Sequence, residues 1–288
     1  MTHRDARTMA AVGLFLLPAL ALVAVLMIAP FVDTVYRSFY NDNGFTRTWV
    51  GLHNYRTLVA DPAFGRSVVN TLMWVAGTLL LPVLLGLLLA VGTNSLRWGS
   101  VARFSLILPY ALSGSATAVV WTFVLRSDGA LNDVLHTLAP GVTPPGWLTE
   151  WPLNTVMMIL ASTWQGTGAA VILFLVGLQA IPRETIEAAQ LDGALGRKLL
   201  WYITLPQLRP ITVVVVGISI VNSLKTFDII WLLTQGGPGT ASETLALTMY
   251  RQTFTLSRYG AGAAVAVFLT VVVIGASWIY LRRQLRAS

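Results

Sequence analysis

Long apolar runs without a charged residue alternate with short polar segments along this chain. Residues 8–32, 67–96, 104–125, 151–182 and 259–281 contain no Asp, Glu, Lys or Arg. A sixth apolar run follows Pro210 and reaches about Leu233, interrupted by Lys225 and Asp228. A helix needs about 20 residues to cross a hydrocarbon layer of about 30 Å. The pattern therefore predicts an all-α polytopic membrane protein with six transmembrane helices, in one transmembrane domain. The spans are expected at residues 10–32, 67–92, 104–125, 153–181, 211–233 and 259–281. The first run is too long for a cleavable signal peptide, and no small-residue cleavage site follows it.

Composition narrows the class further. The chain has 288 residues, of which 55% are hydrophobic and 11% charged. Soluble domains carry roughly 25% charged residues. That argues against an ordinary soluble enzyme, and the apolar content rules out intrinsic disorder. With no cysteine, a disulfide framework, a thiolate metal site and a cysteine nucleophile are excluded as well. His3, His53 and His136 are scattered without ligand spacing, so no metal site is expected.

The net charge of +7 follows from topology. Residues 1–9, 93–103, 182–210 and 282–288 hold eleven basic and four acidic residues; the alternate loops hold eight of each. The positive-inside rule places the first set, and with it both termini, in the cytoplasm. The charge therefore does not point to nucleic acid.

Residues 182–210 are too organised for a simple connector. Pro182 suits a first helical turn, and Glu184 and Glu187 suit its N-terminal end. Gly193 can end that helix in the left-handed conformation. A second short helix, Leu195 to Leu205, is expected before Pro206. Two short helices with a glycine elbow form either a connector packing on its own helices or a docking surface. The spacing separates these readings. Glu187-Ala188-Ala189, three residues, Gly193, nine residues, Ile203, one residue, Leu205-Pro206 resembles the EAA loop of ABC importer permeases. That resemblance implies a coupling helix seated on an ATP-hydrolysing partner, with Glu184, Glu187, Ala188, Ala189, Asp192 and Gly193 at the contact.

The resemblance covers most of the chain and extends to the MalF-type branch for carbohydrate uptake, a MetI-like architecture. It is carried by Pro18, Pro30 and Ser38-Phe39, and by Trp49 through Asn54-Tyr55. Asp61-Pro62, Asn70-Thr71, Asp128 through Asn132, and Gly236-Gly237-Pro238 add to it. The maltose member has extra helices and a large outer insertion absent here. Where an aromatic residue is common after the elbow, this chain has Leu199 and Leu200.

Two polar stretches interrupt the apolar spans. Span four contains Ser162-Thr-Trp164-Gln165-Gly166-Thr-Gly168. In span five, Ser219, Asn222, Ser223 and Thr226 fall at i, i+3, i+4 and i+7, on one face of a continuous helix. Such groups are costly against lipid without partners. They serve either as packing contacts between helices or as a sugar surface, where an indole stacks on a pyranose and amides and hydroxyls bond its hydroxyls. By the family resemblance, sugar-lining positions fall on Ser162, Trp164, Gln165, Gly166, Ala169, Ser219, Ser223 and Thr226. Lys225 and Asp228 have the spacing of an ion pair near the outer end of span five, or of a gate.

No phosphate-loop or hydrolase motif occurs, so the subunit is expected not to hydrolyse ATP itself. The resemblance implies the permease of a sugar importer: no cofactor of its own, with ATP and Mg on two partner ATPase subunits. It also implies a second homologous permease, an extracytoplasmic sugar-binding protein and a cytoplasmic-membrane location. The alternatives are a permease for a non-sugar solute and a membrane-embedded enzyme. The latter needs convergent intramembrane acids or histidines, which the spans lack apart from Asp228.

Overall fold

Four of the six expected spans are single helices in the computed structural model, which describes residues 13, 15–94, 96 and 98–285. They are α1 (Phe15–Arg37), α3 (Pro62–Asn94), α7 (Leu153–Gln179) and α12 (Tyr259–Leu285). The other two stretches are bent helix pairs, giving six spans if each pair counts as one. The predicted beginning of span one, His3, Arg97 and both chain termini lie outside the described residues.

The chain divides into two compact units, residues 1–61 with 249–270 and residues 62–248 with 271–288. In the first, α1 widens into a π-turn at Ala24–Ile28 just before Pro30, whose ring nitrogen cannot donate to the Leu26 carbonyl. The helix runs past the predicted end at residue 32. Asp33 does not stop it, because its carboxylate takes the Arg37 guanidinium four residues on, at 2.6 Å. A hairpin follows that the helical expectation did not include: β1 (Tyr40–Asp42) pairs antiparallel with β2 (Arg47–Trp49). Asn43 Oδ1 accepts the Phe45 and Thr46 amides in its turn. On α2 (His53–Ala60), Asn54 donates to the carbonyls of Ser38 and Tyr40, each at 2.8 Å. The Tyr55 hydroxyl donates to Ser38 Oγ at 2.7 Å. The Ser-Phe and Asn-Tyr pairs noted in the sequence thus close this turn.

In the second unit, α3, α7 and α10 (Arg209–Leu224) surround a core of Val83, Ala90, Ala170, Val171, Phe174, Leu175 and Val215. Span three is not one helix. α4 (Gly99–Ala111) turns by 99° into the stretch Gly114–Leu138, which holds α5 (Gly114–Leu125) and α6 (Ala130–Leu138). Pro109 removes an amide, the last turn tightens to 3-10 geometry, and Leu112 and Ser113 are extended. Ser113 Oγ then caps α5 by accepting the Ala116 amide at 3.1 Å.

Span five differs too. α9 (Arg197–Gln207) meets α10 at 65°, and α10 stops at Leu224 rather than near Leu233. Its last bonds shorten to i→i−3, from Lys225 N to the Asn222 carbonyl and from Thr226 N to the Ser223 carbonyl. A separate helix, α11 (Asp228–Leu233), begins with Asp228 in its first turn, where a carboxylate suits the helix dipole.

Candidate functional site

The helix ends and the break in span three frame a cavity of about 440 Å³. α3 contributes Thr78 and Pro82, and α4 contributes Tyr110. α7 contributes Ser162, Gly166 and Ala169; α10 contributes Val215, Ile218, Ser219, Asn222 and Ser223; Thr226 lies just beyond it. Six of the eight residues expected at a substrate site therefore meet here: Ser162, Gly166, Ser219, Asn222, Ser223 and Thr226. Thr226 gets there from the loop after α10, since the continuous helical face expected from residue 219 to 226 ends at Leu224.

Trp164 and Gln165 do not line the cavity. Trp164 packs edge-on against Trp121 of α5, with ring centroids 6.1 Å apart. Gln165 donates to the Leu112 carbonyl at 2.7 Å, across the break in span three. Trp164, two positions past Ser162, points away from its face toward α5; Gln165, three positions on, stands at the edge of that face, and its amide is taken by the carbonyl at the break. Sequence reading missed Thr78, Pro82 and Tyr110. The available signals were a proline inside an apolar run with a threonine four residues before it, and a tyrosine beside Pro109. Gly168 permits the Tyr110 approach, because a Cβ there would fall 2.8 Å from Tyr110 Cβ.

The polar groups of the cavity have a definite sense. Thr78 Oγ1 donates to the Trp74 carbonyl at 2.7 Å, and Ser219 Oγ to Val215 at 2.9 Å. Ser223 Oγ donates to Ile220 at 2.8 Å, and Thr226 Oγ1 to Asn222 at 3.1 Å. Their protons are committed to the helix backbone, so what they offer the cavity is lone pairs. Ser162, Asn222 and the Tyr110 hydroxyl have no hydrogen-bond partner among the described residues and can also donate. Among the described residues, no charged side chain lines the cavity. It is a neutral, acceptor-rich chamber with apolar patches from Val215, Ile218 and Leu173.

The expected ion pair at its rim does not form. Lys225 ends α10 and Asp228 opens α11, and no salt bridge joins them among the described residues. The turn between the two helices removes the i, i+3 register on which the pairing depended.

The 182–210 loop follows the expected plan closely. α8 spans Arg183–Leu191, with Pro182 one position before the predicted first turn, at the N-cap. Gly193 has φ +82°. The Ala194 amide reaches back to the Ala189 carbonyl at 2.9 Å and the Gly193 amide to Gln190 at 3.0 Å, the two bonds of a Schellman cap. The second helix, α9, starts two residues later than expected, because Gly196 at φ +53° adds another left-handed position. Glu184, Glu187, Ala188, Asp192 and Gly193 are exposed, and Leu191 is 90% exposed. Ala189 turns inward and is buried, so the expected contact surface lacks it. Glu187, Arg183 and Gln190 also line a second cavity of about 710 Å³ against the ends of α3 and α7.

Comparison with known proteins agrees with this architecture. Residues 62–286 match the family described as the inner membrane component of binding-protein-dependent transport systems. A probable ABC transporter permease of Pyrococcus horikoshii is 37% identical over 91% of each chain. The trehalose/maltose transport system permease MalF of Thermococcus litoralis is 33% identical, covering 93% of this chain and 92% of the relative. The lactose permease LacF of Rhizobium radiobacter is 30% identical over 94% and 93%. A chain of a bacterial ABC transporter for alginate has the same fold, with a TM-score of 0.85 at 23% identity over 98% of both chains. The chain is an integral membrane protein and belongs to the binding-protein-dependent ABC importer permease family.

Proposed function

We propose that this chain is the permease through which a neutral disaccharide, oligosaccharide or related polyol crosses the cytoplasmic membrane. The observation that carries this reading is the uncharged cavity whose hydroxyls present lone pairs. A sugar offers many hydroxyl protons and no charge, and acceptors without counter-charges match it. A phosphate or carboxylate needs cations, which the described lining does not provide. The relatives named for trehalose and maltose, and for lactose, support the same substrate class.

Energy comes from outside the chain. Two ATP-binding subunits hydrolyse ATP with Mg, and the exposed Glu184, Glu187, Ala188, Asp192, Gly193 and Leu191 surface of α8 docks on one of them. A second, homologous permease completes the pathway, and an extracytoplasmic binding protein delivers the sugar to the loops at 33–66 and 126–152. Both termini and the 182–210 loop face the cytoplasm, which agrees with their excess of basic residues. The test is ATP hydrolysis by the reconstituted complex with its binding protein. Maltose, trehalose, lactose and sucrose are supplied in turn, with inorganic phosphate and a dipeptide as comparisons. Stimulation by a saccharide is expected; stimulation by phosphate or dipeptide alone would overturn the reading.

A further inference from the structure

We propose that the backbone carbonyl of Thr78 is a specificity determinant of the translocation cavity, opened to the substrate by Pro82. The inference rests on the saccharide reading above and names a group within that site. In an α-helix the carbonyl of residue i accepts the amide of residue i+4, and a proline at i+4 has none to give. Pro82 lies inside α3, so the Thr78 carbonyl loses its helical partner. Thr78 and Pro82 both line the cavity, which puts the carbonyl between them on the cavity wall. Among the described residues no side chain and no loop amide donates to it. The proline ring faces Gly166 across the cavity wall, where a Cβ would come within 3.9 Å of Pro82 Cβ and Cγ. A carbonyl without its i+4 amide is tolerated at membrane depth where it lines a cavity and meets a donor there. Unlike Ser219 or Thr226 it has no rotamer to change, so the backbone fixes the directions from which it accepts. A fixed acceptor of this kind selects for a hydroxyl at one ring position and against an analogue that lacks it.

The test is uptake into vesicles containing the full complex with saturating binding protein. Maltose, trehalose, lactose and sucrose identify a transported saccharide, and each monodeoxy derivative of that saccharide is then compared with its parent. Wild type is expected to carry one derivative at least fivefold less efficiently than the parent. In Pro82→Ala and Pro82→Val, residue 82 regains an amide that pairs with the Thr78 carbonyl, and the discrimination at that ring position falls to less than twofold. Both substitutions favour the helix, so assembly is retained. Thr78→Val removes the cavity hydroxyl and keeps the carbonyl, so it is expected to weaken uptake of parent and derivative alike and to leave their ratio as in wild type. If wild type carries a saccharide and both Pro82 variants keep its full discrimination, the inference is wrong. It is equally wrong if Thr78→Val loses the discrimination while the Pro82 variants keep it. If no saccharide is carried by wild type, the saccharide reading itself fails.

Discussion

Gln165 Nε2 meets the Leu112 carbonyl at 2.7 Å, joining α7 to the point where span three breaks. The bond explains a polar side chain in an apolar span without invoking substrate. Leu112 follows a 3-10 turn and its carbonyl lies outside any helix, so the glutamine supplies the donor that water cannot. Gln165→Leu is expected to destabilise the solubilised protein by about 1–3 kcal/mol, the cost of leaving such a group unpaired. Thermal unfolding in detergent measures this. An unchanged midpoint would show that the break does not depend on Gln165.

Asn70 holds the Gly236-Gly237-Pro238 loop in place. Its amide donates to the carbonyls of Ala241 and Glu243, both at 2.8 Å, and its oxygen accepts the Trp151 indole at 3.0 Å. The residue is fully buried. Asn70→Leu strands two carbonyls and an indole, and a loss of about 3 kcal/mol or more is expected. Limited proteolysis after 234–243 should accelerate accordingly, whereas Thr78→Val should leave it unchanged.

The elbow at Gly193 isolates a backbone effect. A Cβ there would touch nothing within 4 Å, so only the φ of +82° resists substitution. Gly193→Val is expected to strain the elbow by about 1–2 kcal/mol and to lower sugar-stimulated ATP hydrolysis several-fold. Gly193→Asn, which tolerates the left-handed region better, should retain most of it. Equal activity in both variants would remove the elbow from the coupling argument.

Topology can be read by labelling, since the chain has no cysteine. Ser127→Cys should react with a membrane-impermeant thiol reagent in intact cells and Arg197→Cys should not. The reverse pattern would invert the orientation and place α8 on the wrong side for an ATPase.

Much of this was legible in the sequence because the membrane imposes long, simple patterns. Charge-free runs marked five of the six expected spans, and the left-handed Gly193 announced the Schellman cap three residues after Gln190. What failed was continuity. Composition cannot show that Pro109 breaks span three, since Pro82 sits inside a helix that continues past it. Nor could it show that the helix carrying Ser219 and Asn222 ends before Thr226. The site suffered from the same limit. Ser162 and Gly166 share a helical face, but Trp164 and Gln165 stand between them in sequence and point elsewhere, toward Trp121 and Leu112. Tyr110 and Thr78 come from distant segments that only the packing of α3, α4 and α7 brings together. The β1–β2 hairpin escaped notice because three-residue strands carry no periodicity.

The most direct measurement is ATP-dependent accumulation in vesicles bearing the complete complex, comparing neutral disaccharides with uronate oligosaccharides at saturating binding protein. Asn222 offers a free amide to the cavity, and one hydrogen bond nets about 1 kcal/mol, or roughly fivefold. Neutral disaccharide should accumulate and uronate should not. Asn222→Ala should raise the half-saturating sugar concentration about fivefold, with basal hydrolysis intact. Trp164→Ala should leave sugar selectivity unchanged, losing only its contact with Trp121. Accumulation of the anionic sugar in preference to the neutral one, or wild-type transport by Asn222→Ala with selectivity lost in Trp164→Ala, would contradict the account.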